Sequence, residues 1–89
     1  MIRRTSHFAG NVQGVGFRYT AQDLARKFKV VGYVRNLPDG RVELVVEGDP
    51  AEIDKLLDAI AGKMEGLIKN RTDSDSPATG QFKDFSIRH

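Results

Sequence analysis

Apolar side chains recur along this chain with two different periods, and each change of period marks a new element. From Arg3 to Val12, the residues Thr5, Phe8 and Val12 lack helical spacing and lead into a glycine-bearing run, which predicts a first strand. Phe17, Ala21, Leu24, Ala25 and Phe28 then follow at intervals of three and four, with Gln22, Asp23, Arg26 and Lys27 off the stripe. That spacing predicts a helix. Val31 to Leu37 is β-branched and aromatic, Pro38-Asp39-Gly40 is turn chemistry, and Val42, Leu44 and Val46 alternate with Glu43, Val45 and Glu47, so a hairpin is expected. Asp49 offers an N-cap, Pro50 suits the first helical position and Glu52 stands three residues after the cap; Ile53, Leu56, Leu57 and Ile60 supply the stripe of a second helix. Beyond Gly62 the pattern weakens. Leu67 to Arg71 predicts a short strand, Thr72 to Gly80 a Ser/Asp/Pro/Gly loop, and Phe82, Phe85 and Ile87 a final strand.

The order βαββαβ with an extra terminal strand predicts the α+β class: a ferredoxin-like sandwich, with an antiparallel sheet carrying two helices on one face. A length of 89 residues predicts a single domain, residues 1–89, with a core large enough to fold without staples. With 39% hydrophobic and 29% charged residues, the chain carries neither the signature of disorder nor that of a coiled coil. The absence of cysteine excludes a disulfide framework and a thiolate nucleophile. Met1-Ile2-Arg3-Arg4 leads into polar residues rather than an apolar run, and no stretch approaches membrane-spanning length, so the expected location is cytoplasmic with no membrane partner. A net charge of only +2 does not describe a face built for polyanions, and no nucleic-acid partner is expected. A small anion would suit it, given one basic residue in the right pocket.

The segment Gly10-Asn11-Val12-Gln13-Gly14-Val15-Gly16-Phe17-Arg18 joins the first strand to the first helix and places glycines where backbone N–H groups are left unpaired. Two readings fit. The backbone can wrap an anion, helped by the positive end of the helix, or the glycines can simply make a tight turn with Arg18 as a solvated first-turn residue. Better-known glycine motifs do not match, because the third dinucleotide-binding glycine is missing and no Walker lysine follows. Arg18 instead offers a planar fork for two phosphate oxygens at the anion-binding end of the helix.

These residues carry a resemblance. Gly10 to Arg18 matches every fixed position of the acylphosphatase signature Gly-x-Val-Gln-Gly-Val-x-Phe-Arg, and Gly32-Tyr33-Val34-Arg35-Asn36 with Gly40, Val42 and Gly48 resembles the family's second signature. Phe85-Ser86-Ile87-Arg88 is similar to its last strand; Lys63 to Gln81 matches only loosely, and His89 stands where some members end in tyrosine. The resemblance implies an enzyme that hydrolyses a small-molecule acyl phosphate to carboxylate and inorganic phosphate, as a monomer. It further implies that Arg18 and the backbone of Gln13, Gly14, Val15, Gly16, Phe17 and Arg18 hold the phosphoryl group, while Asn36 orients water. On position alone Asn36, two residues before Pro38, reads as turn chemistry.

A right-handed crossover through the first helix would run the second strand parallel to the first and bring Asn36 beside the loop. No catalytic base is evident near His7 or His89, and the implied substrate explains why. An acyl phosphate expels a carboxylate, so positioning and electrostatic stabilisation of a loose transition state suffice, with a substrate oxygen accepting the water's proton. No His, Asp or Glu cluster has metal-ligand spacing, and Asp73-Ser74-Asp75 lacks the rest of a calcium loop; neither metal nor cofactor is expected. Arg35 and Arg41 read as solvated strand-end charges, and His7 as a strand residue with a satisfied ring. Two rivals stand beside the hydrolase. An RNA-binding module is disfavoured because Arg41 to Gly48 holds no aromatic residue. A non-catalytic anion-binding domain, or a relic of a larger carbamoyl-transferring maturation protein, is disfavoured by the presence of both Arg18 and Asn36.

Overall fold

The computed structural model describes residues 1–89. Its elements run β1 (Ile2–Gly10), α1 (Phe17–Ala25), β2 (Val30–Asn36), β3 (Val42–Gly48), α2 (Pro50–Lys63), β4 (Ile68–Pro77) and β5 (Phe85–Arg88). The strands form one sheet in the order β4-β1-β3-β2-β5. β1 and β2 each pair antiparallel with β3, so they run parallel to one another on either side of it. Phe8 and Asn36 are both partnered with Val42, which sets the C-terminal ends of β1 and β2 level across three strands.

Both expected helices form, and their stripes become the core. Phe17, Ala21, Leu24 and Ala25 of α1 and Ile53, Leu56, Leu57 and Ile60 of α2 are buried with Phe8, Val34, Val42, Leu44 and Val46 of the sheet in one cluster. Each such side chain contributes roughly 1.5–3 kcal/mol of burial free energy if it is one of the larger aliphatics or phenylalanine. At the start of α2, the Asp49 carbonyl accepts from Glu52 N and Ile53 N, but its carboxylate makes no capping bond. Glu52 does not close a capping box either; it accepts from Lys29 N at 3.0 Å and Lys55 Nζ at 3.1 Å, tying α2 to the turn before β2.

The second half of the chain departs from expectation. Residues 72–77, expected as loop, continue β4 to Pro77 and pair antiparallel with β1 along their length. β4 is an edge strand, so only one of its flanks needs partners, and its polar side chains serve β1: Asp73 accepts from the buried Ser6 hydroxyl at 2.7 Å and Asp75 from Arg4 Nε at 2.8 Å. Arg4 also donates to Asp54 of α2, and its hydrogen bonds to Asp75 and Asp54 raise the guanidinium's pKa further above its ordinary value. β5 pairs parallel with β2, which makes the expected antiparallel sheet a mixed one. Phe82 lies ahead of β5 rather than within it.

Because β4 and β5 occupy opposite edges, the segment joining them crosses the sheet on the face away from the helices. On that face of β3, Val45 and Glu47 are buried. Glu47 accepts from Arg3 Nε at 2.8 Å, Thr79 N at 3.0 Å, Gly80 N at 3.0 Å and the Thr79 hydroxyl at 2.8 Å. Burial alone would raise the Glu47 carboxyl, but these donors outweigh it and hold the pKa at about 2. On the same face, Glu43 gathers His7, Tyr33 and Arg35.

Candidate active site

Between β1 and α1, the chain turns through residues 11–16 at the level of Asn36. Gly14 and Gly16 take φ of 75° and 79°, which residues with a Cβ avoid. A Cβ at either position would meet nothing within 4 Å, so conformation, not crowding, requires glycine and the space above the loop is open. Gly16 is the N-cap of α1 and supplies no side-chain cap. The backbone N–H groups from Gln13 to Tyr19 consequently find no acceptor in the protein; Thr20 N, donating to Gly16 O at 3.0 Å, is the first that does. Unpaired amides at a helix start, reinforced by its partial positive charge, are an anion-binding arrangement.

One cavity of about 210 Å³ is lined by Val12, Gly14, Gly16, Phe17, Arg18, Tyr19 and Asn36. No carboxylate lines it, so Arg18 gives it a single, positive charge. Phe17 holds the loop's end in place from below: it is buried, with its ring 4.9 Å from that of Phe8. Arg18, one residue on, projects its guanidinium from the first turn of α1 and pairs with no carboxylate. Its guanidinium contacts His89, with Nη1 3.2 Å from Nδ1. A guanidinium only donates, so Nδ1 is the acceptor of this contact. Asn36, at the end of β2, lies on the face of the sheet that holds Val34 and the helices; its Oδ1 is buried and receives no hydrogen bond. An amide left with unused hydrogen-bonding capacity beside a charged cavity is suited to a bound water or ligand.

The sequence-predicted residues Gly14, Gly16, Phe17, Arg18 and Asn36 therefore meet at one cavity. Val15 does not line it. Nor does Gln13, whose side chain turns away from the loop's open side: Nε2 donates to Leu37 O at 2.8 Å and Arg41 O at 2.9 Å. Arg35 and Arg41 are ion-paired, to Glu43 and Asp39, and His7 Nε2 lies 3.0 Å from Glu43 on the far face of the sheet. No three His, Cys, Asp or Glu side chains converge as a metal-holding group. No helix is long and apolar enough to cross a membrane. The contact of His89 with Arg18 spans 71 residues of sequence and left no trace in local spacing.

The model of the acylphosphatase family matches residues 5–87. Among curated proteins, the acylphosphatase of Paenarthrobacter aurescens is 41% identical over 87 residues, covering 97% of this chain and 93% of its own. That of Acaryochloris marina is 40% identical over 79 residues, covering 89% and 85%. Among solved structures, the acylphosphatase of Bacillus subtilis superposes over 100% of both chains with a TM-score of 0.91 at 32% identity.

Proposed function

The chain belongs to the acylphosphatase family, and from that premise we propose how its own residues divide the work. It is an enzyme that hydrolyses acyl phosphates to carboxylate and inorganic phosphate. In this reading the substrate's phosphoryl group lies over the loop, held by the amides from Gln13 to Arg18 and by the Arg18 fork, and Asn36 orients the attacking water. Water adds to phosphorus as the bond from phosphorus to the bridging oxygen breaks; the electron pair leaves with the carboxylate, and the water's proton passes to a phosphate oxygen. The carboxylate needs no general acid, which suits a cavity that contains none. Electrostatic stabilisation and orientation supply the rate.

The observation that carries this reading is the meeting of unpaired loop amides, Arg18 and Asn36 on one cavity free of carboxylates. With Arg18 and the amides providing the positive charge, the reaction runs without a metal. We take residues 1–89 to act as one domain and as a monomer, in the cytoplasm expected from the sequence. Asn36→Ala tests the division of labour. Its partner is water rather than the phosphoryl group, so kcat and kcat/KM fall together while the inhibition constant of inorganic phosphate stays near that of the unaltered protein. A variant that folds, melts slightly lower and keeps its kcat would return Asn36 to turn chemistry.

A further inference from the structure

We propose that the Gln13 side chain is a positioning residue that keeps the phosphate-holding loop in register with Asn36, and so governs attack by water without touching the phosphoryl group. The inference rests on the roles given above to Arg18 and Asn36. Everything that holds phosphate in that reading belongs to residues 13–18, whereas the group that orients water belongs to β2. The reaction takes place between two pieces of chain that are not neighbours in the sheet, since β3 separates β1 from β2. Their relative placement therefore needs a tie.

Gln13 supplies it. Both hydrogens of its amide are committed, to Leu37 O at 2.8 Å and to Arg41 O at 2.9 Å. Those carbonyls stand on the two sides of the β2–β3 turn, which Leu37 N closes by donating to Arg41 O at 2.8 Å. Leu37 is the residue after Asn36. No other hydrogen bond joins residues 11–18 to this hairpin; the loop's remaining backbone tie, Asn11 N to Leu67 O, goes to the opposite side. With its N–H groups spent, the side chain retains only Oε1, an acceptor that cannot hydrogen-bond an ionised phosphate oxygen. The direct contribution of Gln13 to phosphate is thus limited to its backbone amide, which substitution leaves in place.

The test combines Gln13→Met, similar in length but without donors, with Asn36→Ala, singly and together. Each protein is assayed with a synthetic aryl acyl phosphate for kcat and KM, and with inorganic phosphate as competitor, well below its melting temperature. A displacement of about 1 Å between reacting groups is worth up to about 10²-fold in rate. Gln13→Met is accordingly expected to lower kcat at least about tenfold while leaving phosphate inhibition nearly unchanged. In the Asn36→Ala background the same change costs little more, because residues acting as one unit are not additive. Gln13→Asn, which keeps the amide but is one methylene shorter, lowers kcat by an intermediate factor and covers the case in which Gln13→Met does not fold. Losses that multiply fully in the double variant, or weakened phosphate inhibition at unchanged kcat, overturn the inference and leave the reading of Asn36 intact. Full kcat in Asn36→Ala alone overturns both.

Discussion

At the scale of single residues, the site is distinguished by what its polar groups lack. Arg18 has a histidine but no carboxylate beside it, and Asn36 has a buried oxygen without a donor. In a fold where Arg3, Arg4, Arg35 and Arg41 are all ion-paired, Arg18 keeps its charge for another partner. Its planar fork holds two oxygens at fixed separation, which a lysine ammonium cannot reproduce. Arg18→Lys is therefore expected to weaken phosphate inhibition and to lower kcat/KM by about 10²–10³-fold, the scale of losing one preorganised donor to a developing charge. Steady-state kinetics with phosphate as competitor measures both, and near-normal turnover would remove the fork from the mechanism. Arg18 and the glycines were legible in the sequence because their meaning is local: a left-handed turn, a helix start and a cation follow one another within a few positions. Gln13 was legible only as a member of the loop. Its side-chain partners lie 24 and 28 residues away, and only the placement of the β2–β3 turn shows that it faces the hairpin.

At the scale of elements, helices proved easier to read than edges. The stripes of α1 and α2 mapped onto the core, apart from Phe28, which lies past the end of α1 and is only partly buried, because a helix with one buried face writes that face at intervals of three and four. β4 gave no such pattern. An edge strand that lies largely in solvent needs no apolar face, and its Ser and Asp residues pass for loop chemistry until Ser6 and Arg4 are found opposite them. β3 is buried on both faces towards its end, at Val45 and Glu47 as well as at Val46, and the hairpin pattern did not show that Thr79 and Gly80, more than 30 residues on, donate to Glu47. Glu47 fixes that crossing and makes it sensitive to acid. Its folded pKa of about 2 lies below the ordinary value of 4.5, so the unfolded chain binds more protons in the interval between them. The contribution to stability is present above the upper value and is lost as pH falls through that interval. Melting temperature followed from pH 7 to pH 2 should show this loss in the unaltered protein. In Glu47→Gln it should be lower at pH 7 and fall less steeply on acidification; an equal slope in both would assign the acid response elsewhere.

For the molecule as a whole, the loop proposed to hold phosphate is already in its left-handed turns, with Phe17 anchored under it, so in that reading an anion meets a formed site rather than one it must fold. Inorganic phosphate should then bind the native state alone and raise the melting temperature. At a hundredfold excess over Kd, the gain is about 2.7 kcal/mol, and for a domain of this size that corresponds to an upward shift of roughly 15 degrees. Thermal unfolding in phosphate, against chloride at matched ionic strength, checks this; an unmoved transition under saturating phosphate counts against a preformed cradle. The sheet order also carries a consequence for synthesis. Its three inner strands, β1, β3 and β2, and both helices come from residues 2–63, whereas β4 and β5, which close its two edges, come from residues 68–88. A ribosome releases the chain from its N-terminus. The glycine loop, Arg18, Asn36 and the hairpin that Gln13 grips all emerge before either flanking strand. For that interval the growing chain holds every residue of the proposed site while both flanks of its sheet are unpaired, and it is then that pairing with a neighbouring chain has the least to stop it.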